Sequence, residues 1–289
     1  MPENKTVIVA TDGSDHSLRV LPHADVLAGH LGAGLEVVRV VEHADVIVEP
    51  GEDEHAAVER TCARLAGELE DDLKRFGVAG VARVIVAPEH QDAGDTLLQA
   101  VSGAQMLAMH SRGRGGIARL LHGSVALRLL RAIDQPVMLG GPELLPPPVT
   151  RDTYHLLATT DLSPDSEQSL RALAPLLEPT EIKLTLLYVH FHAPAGIDNA
   201  AERAKHAAEL AQKRLLLPAS TEVDQMVREI PIGAGIDTAI MEVADQVGAQ
   251  AIAMSTHGHS ARHHLLMGSV AMSILGRSRL PLIVVRAQG

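Results

Sequence analysis

MHSRGRGGIARLLHGSV, residues 109–125, and MSTHGHSARHHLLMGSV, residues 254–270, share one layout. Each leaves an apolar run, passes a glycine (Gly113, Gly258) and, after nine intervening residues, reaches a Gly-Ser pair (Gly123-Ser124, Gly268-Ser269). A helical periodicity starts there. Glycine lets a backbone approach a ligand closely, and a helix start exposes unpaired N–H groups at its positive dipole end. A loop that delivers glycine beside such a helix start suits an anion, phosphate above all. The recurrence of the spacing lifts the signal above chance.

Working outward, the run before each loop is strand-like, Gln105–His110 and Gln250–Ser255, and the run after the following helix is again strand-like, Pro136–Leu139 and Leu280–Val285. Upstream, Thr6–Ala10 is a short β-branched run that ends at Thr11-Asp12-Gly13-Ser14, and a helical pattern then leads to Gly32. Leu35–Val41, an acidic loop to about Asp53, a helix over Ala56–Phe76, the strand Ala82–Ala87 and a short helix near Thr96–Ser102 complete the first series. A helix over about Ser124–Ile133 joins its last two strands. Strands alternating with helices predict parallel βαβ units with right-handed crossovers.

Gly140 to Thr150, with prolines at 146, 147 and 148, continues neither helix nor strand and reads as a linker. The series then restarts: Tyr154–Thr159 ending in Thr160-Asp161-Leu162-Ser163, a helix over about Asp165–Leu177, Ile182–Phe191, a helix Ala200–Leu215, Glu222–Ile230, a helix Ile236–Val247, and a last helix near Ser269–Gly276. Asp161 follows Asp12 by 149 positions, while Gly258, Gly268 and Pro281 each follow Gly113, Gly123 and Pro136 by 145. The expectation is a duplicated domain: residues 1–142, a Pro-rich linker 143–152, and residues 153–289.

With 289 residues, each half is long enough to own a core. Aromatics are nearly absent, Tyr154, Tyr188, Phe76 and Phe191 alone, so both cores must be aliphatic. A net charge of −11 argues against nucleic acid and anionic membranes as partners. Cys62 is the single cysteine, which excludes an intrachain disulfide framework and a Cys-rich zinc site. MPENKTVIVATDGS lacks the basic and apolar regions of a signal peptide, and no run approaches a membrane span. A soluble cytoplasmic protein is expected.

In an open parallel sheet, ligands bind at the carboxyl ends of the strands, where strand order reverses. Asp12 would there face the Gly113–Ser124 loop, and Asp161 the Gly258–Ser269 loop. A carboxylate that accepts from adenosine N–H or ribose O–H groups, beside a phosphate-holding loop, suits a nucleotide. The alternative for each Asp is a helix N-cap, although Ser14 and Ser163 can cap equally well. The cluster His257, His259, His263 and His264 invites a metal, but with no cysteine nearby polar surface or phosphate contact is favoured. Arg112, Arg114, Arg119 and Arg262 are phosphate contacts or a solvated rim. No GxSxG, GxxxxGK[ST] or paired acid/base carboxylates stand in the chain, so catalysis beyond slow ATP hydrolysis is not expected.

VIVATDGSDHSLRVL, RVVEH, the G-x9-G-S loops, TTDLSPDSEQSLRAL, LLYVH, STHG, MGSV and PLIVV resemble the universal stress protein family across essentially the whole chain, as a tandem of two such domains. The resemblance implies two Rossmann-like α/β domains of the adenine nucleotide alpha hydrolase type. Each would hold a five-stranded parallel sheet of order 3-2-1-4-5, with ATP bound in some members and not in others. Carried over, the adenosine end would involve Ala10, Thr11, Asp12 and Val41, and the phosphate end Met109, His110, Gly113, Gly123, Ser124 and Val125. The matching positions in the second half are Thr159, Thr160, Asp161 and Val189, then Met254, Ser255, Gly258, Gly268, Ser269 and Val270.

The chain departs from the family's ATP pattern, G-x2-G-x9-G-[ST], at its first glycine, which is His110 in one half and Ser255 in the other. Serine is the milder replacement. The expected function is a stress-response regulator that binds ATP or a related adenine nucleotide, with Mg2+ as the accompanying cation, in one or both domains. The contrasting expectation is a scaffold with degenerate clefts. An internal pseudo-dimer packed through Pro136–Leu139 and Leu280–Val285, a homodimer and a regulatory protein partner are further expectations.

Overall fold

A computed structural model of the chain describes residues 5–111, 124–147, 153–178, 181–192, 200–255 and 267–286, with the side chains of 124–127 outside the description. The chain divides into two compact units, Met1–Gly140 and Gly141–Gly289.

In the first unit β1 (Thr6–Thr11) leads through a 3-10 turn at Ser17–Val20 into α1 (Leu21–Leu31). There follow β2 (Gly34–Val41), α2 (Glu54–Phe76), β3 (Val81–Val86), α3 (Ala93–Ala100), β4 (Met106–His110), α4 (Ser124–Ala132) and β5 (Val137–Gly140). The strands are all parallel in the order β3-β2-β1-β4-β5. β1 is central and covered on both faces, so four consecutive residues, Val7 to Ala10, are buried and the sequence reads as an unbroken apolar run.

α2 presents Ala57, Thr61, Leu65, Leu69 and Leu73, at a spacing of four, as its buried stripe. It starts at Glu54, two residues before the sequence periodicity suggested. Asp53 caps it, accepting from the Ala56 N–H at 2.8 Å. α3 likewise starts at Ala93 rather than about Thr96, because Asp92 accepts from the Asp95 N–H at 2.9 Å. Both helices begin where an Asp side chain satisfies an orphan donor, before any apolar residue announces them.

The second unit repeats the plan. β6 (Tyr154–Thr160), α5 (Pro164–Leu173), β7 (Ile182–Phe191), α6 (Ala200–Arg214) and β8 (Glu222–Ile230) are followed by α7 (Ile236–Val247), β9 (Ala251–Ser255), α8 (Ser269–Arg277) and β10 (Leu282–Val285). The order is β8-β7-β6-β9-β10, again all parallel. The helix expected to run to Leu177 ends at Leu173, and Ala174–Leu177 continues as a 3-10 turn. Pro175 removes the N–H an α-helix would need there. The cores are aliphatic, as the composition demands. Val9, Leu107, Ala108 and Met138 fill one, Leu157, Leu186, Ile252 and Leu282 the other, and Tyr154 is the one fully buried aromatic among the described residues.

The segment after β5 is not all free linker. Gly141 approaches Leu275 so closely that a Cβ would stand 1.9 Å from its carbonyl oxygen. The Leu145 N–H donates to the Arg279 carbonyl at 3.1 Å, and Leu144 is buried. These residues belong to the second unit.

Candidate functional site

Each unit carries the same hydrogen-bonded turn where its central strand ends. In the first, the Thr11 and Ser17 hydroxyls lie 2.6 Å apart and the Gly13 N–H donates to Thr11 Oγ1 at 3.0 Å. Asp12 Oδ1 accepts from the Ser14 N–H at 2.9 Å, Ser14 Oγ accepts from the Ser17 N–H at 3.2 Å, and Ser17 Oγ donates to the Ser14 carbonyl at 2.9 Å.

The second unit reproduces every bond. The Thr160 and Ser166 hydroxyls are 2.9 Å apart, the Leu162 N–H meets Thr160 Oγ1 at 3.0 Å, and the Ser163 N–H meets Asp161 Oδ1 at 3.0 Å. Ser166 N–H to Ser163 Oγ (3.2 Å) and Ser166 Oγ to the Ser163 carbonyl (2.8 Å) complete it. Threonine, aspartate and two serines in the pattern T-D-x-S-x2-S are what this frame requires. The capping reading is therefore satisfied by Oδ1 and the serines together, with Ser163 the N-cap of α5. The frame holds each half-buried Asp at the carboxyl end of β1 or β6. Ser17 and Ser166, invisible as site residues in the sequence reading, carry it.

The turn needs a left-handed residue after the Asp. Gly13 takes φ +78°. Leu162 takes φ 64°, the one positive φ at a non-glycine residue among those described, a conformation that costs a leucine about 1–2 kcal/mol. The Gly13 space is also used, since a Cβ there would stand 2.4 Å from Arg39 Nη1.

β4 and β9 deliver the other wall. Ala10 is level with Met109 in the β1–β4 register, and Met109 and His110 are both buried. Their counterparts Met254 and Ser255 are half-buried. Gly268 enters α8 with φ −65° and ψ 159° and no side-chain cap. Ser269 is exposed and Val270 half-exposed beyond it, and Gly268 as N-cap supplies no side chain of its own to the first N–H groups of α8. Gly113, Gly123, Gly258 and the histidine cluster 257–264 lie outside the described residues, as do the side chains of Ser124 and Val125.

At the second strand the frames diverge. Thr11 is level with Arg39, and Thr160 with Tyr188. Counting on, Val41 corresponds to His190, and Val189, paired with Val41 in the sequence reading, is level with Val40. The register of the strands, not the valine and histidine that RVVEH and LLYVH both carry, decides this. The Val41 carbonyl is already taken by the Ala87 N–H at 2.8 Å. Arg39 reaches Glu68 at 3.5 Å. Burial pushes the Tyr188 hydroxyl pKa up, and the negative charges of Glu209, Asp161 and Glu202 add to the shift.

The helix that begins at each glycine loop is tied back by an ion pair. Arg128 of α4 reaches Asp92 at 2.6 Å and Asp95 at 2.9 Å. In the second unit Arg277 and Ser273 of α8 both donate to Asp237 Oδ2, at 2.7 and 2.5 Å. The Asp95 backbone N–H, and after it Arg128, lowers the carboxyl pKa of Asp92; Ser273, and after it Arg277, lowers that of Asp237. Cys62 is half-buried and burial raises its thiol pKa, which disfavours the thiolate a nucleophile needs. Among the described residues no group of His, Cys, Asp or Glu is placed to hold a metal, and no helix is long and apolar enough to cross a membrane.

The model of the universal stress protein family matches residues 3–139 and 154–286, one match for each unit. Over 97% of its length the chain is 26% identical to a universal stress protein of Mycobacterium tuberculosis, 96% of which is covered, and the same figures hold for one of Mycobacterium bovis. Among solved structures, a universal stress protein from Archaeoglobus fulgidus superposes with a TM-score of 0.62 at 19% identity, covering 99% of this chain and 97% of that one. This last likeness concerns the fold. The chain belongs to the universal stress protein family, with two domains of that family in tandem.

Proposed function

We propose that this chain binds ATP or a related adenine nucleotide at the carboxyl ends of its central strands and acts as a nucleotide-dependent regulator of the stress response. The observation that carries the reading is the duplicated turn. The same set of bonds fixes Asp12 and Asp161 at a parallel sheet's switch point, where α/β folds take ligands. Asp161 is suited to accept from ribose or adenine, and the uncapped start of α8 at Gly268 to receive phosphate. Mg2+ would accompany a triphosphate. The second unit is the stronger site, since the small Ser255 stands there at the position of the larger His110 in the first.

Isothermal calorimetry with ATP on the full chain tests this. Binding heat that disappears from the second site on Gly268→Phe supports it, because a large side chain at the helix start blocks the N–H groups. No heat at millimolar ATP, and no nucleotide retained through purification, would leave an interaction scaffold as the function. Unchanged affinity in Gly268→Phe would mean that this loop is not the phosphate end.

A further inference from the structure

The carboxyl end of β7 carries a cluster that the nucleotide reading does not use. Tyr188 and His190, two residues apart and so on one side of the strand, stack with ring centroids 5.5 Å apart and planes 9° from parallel. His206 of α6 closes edge-on over both, at 5.0 and 4.5 Å. Directly across the β7–β8 register stands Glu229. Its Oε1 is 3.5 Å from His190 Nε2, its Oε2 is 3.0 Å from His192 Nδ1, and Arg203 approaches Oε1 at 4.0 Å. The His190 side chain is 8% exposed and that of Glu229 18%.

Proton accounting makes this arrangement informative. His190 Nδ1 lies 3.2 Å from the Phe191 carbonyl oxygen. A carbonyl only accepts, so Nδ1 carries the hydrogen, and in a neutral ring Nε2 is then a bare lone pair. That lone pair faces a carboxylate oxygen, acceptor against acceptor, and both atoms are buried without a hydrogen-bond partner among the described residues. One added proton, on Nε2 or on Oε1, turns the opposition into a bond. Asp161 after β6, Glu202 and Glu209 of α6 and Glu229 itself outnumber Arg203 and Lys205, the latter 3.8 Å from Glu209. On α7, Glu242 is occupied with Arg228 at 3.8 Å.

We propose that the His190–Glu229 pair takes up a proton when an anionic nucleotide enters the second crevice, making that site, and not the first, bind more tightly as pH falls. The inference rests on the nucleotide reading of the same crevice. The link between cluster and crevice is Tyr188, level with Thr160, the residue that precedes Asp161. The first unit is the internal control. The residue there level with His190 is Val41, and its partner across the register is Val86, so no titratable pair exists. A unit charge added within about 10 Å of an anion in a partly solvated cleft changes affinity by a factor of roughly three to ten.

Calorimetry of ATP binding to the full chain, in buffers of different ionisation enthalpy at neutral pH, counts the protons taken up. Wild type should take up more protons per nucleotide than His190→Val or the shape-preserving Glu229→Gln, and bind roughly three- to tenfold tighter at pH 6 than at pH 8 relative to either variant. The nucleotide's own titration is common to all three proteins and cancels.

Ring-nitrogen NMR of the nucleotide-free protein supplies an arm that needs no ligand. The His190 Nε2 signal should change with pH and be altered by Glu229→Gln. A neutral ring with bare Nε2 from pH 6 to pH 8, indifferent to Glu229→Gln, overturns the shared proton. Nucleotide binding with equal pH dependence in wild type and His190→Val overturns the coupling alone. No binding at either pH, with the NMR response intact, overturns the coupling because the nucleotide reading itself has failed.

Discussion

The two crevices share a frame and differ in what they hold. Thr11, Asp12, Ser14 and Ser17 are bonded to one another as Thr160, Asp161, Ser163 and Ser166 are, yet several side chains at the strand ends around those frames have changed. In the first unit the Arg39 guanidinium lies over Gly13, and Met109 and His110 are buried at the end of β4. In the second, Tyr188 takes the place of Arg39, His190 that of Val41, Ser255 is half-buried, and a leucine accepts the left-handed position that glycine holds in the first. A turn defined by its own local bonds survives divergence of its surroundings, because those bonds need only four side chains. Ligand handling, set by the strand ends and loop starts, is free to separate.

The largest effect that would break this contrast is on binding. Asp161→Ala should weaken nucleotide at the second crevice by about ten- to a hundredfold, from hydrogen bonds to a charged group worth roughly 1.5–3 kcal/mol. Calorimetry should show the first crevice unchanged, and Asp12→Ala should give the mirror result. Loss at both sites from either change would mean that the crevices are not independent. His110→Gly should make the first crevice resemble the second, raising its ATP affinity by about tenfold, the 1.4 kcal/mol of one modest steric obstacle removed. An unchanged titration would show that the histidine is not the obstacle.

Smaller effects concern the turns. Gly13→Ala places a side chain at φ +78° and displaces Arg39. The expected loss, read by denaturant unfolding of the first unit, is about 1–1.5 kcal/mol. Leu162→Gly does the reverse, and two terms oppose. Relief of a left-handed leucine is partly cancelled by the greater freedom of glycine in the unfolded chain, leaving a gain of about 0.5 kcal/mol or less. A marked destabilisation would mean that packing of the Leu162 side chain, not the frame, holds that turn.

Much of this was legible in the sequence for identifiable reasons. Buried parallel strands read as continuous β-branched runs, and the Asp12 and Gly-Ser motifs recur in the same sequence order at offsets of 149 and 145, so the parallel βαβ plan and the duplication followed, while the strand order came from the family resemblance. The starts of α2 and α3 did not, because Asp53 and Asp92 set them through side-chain bonds ahead of the apolar periodicity. The Ser17 and Ser166 roles were present in T-D-x-S-x2-S but looked like ordinary helix starts. The His190 cluster was out of reach. It is assembled from β7, β8 and α6, and its decisive contact, His190 with Glu229, spans 39 positions that only strand register brings level.

Equilibrium dialysis of the full chain against labelled ATP tests the central claim most directly. Retained nucleotide, with stoichiometry reduced when Asp161 is replaced by Ala and Asp12 left intact, is the predicted result. A chain that retains no ATP at millimolar concentration, or one whose bound ATP is indifferent to both aspartates, would contradict it.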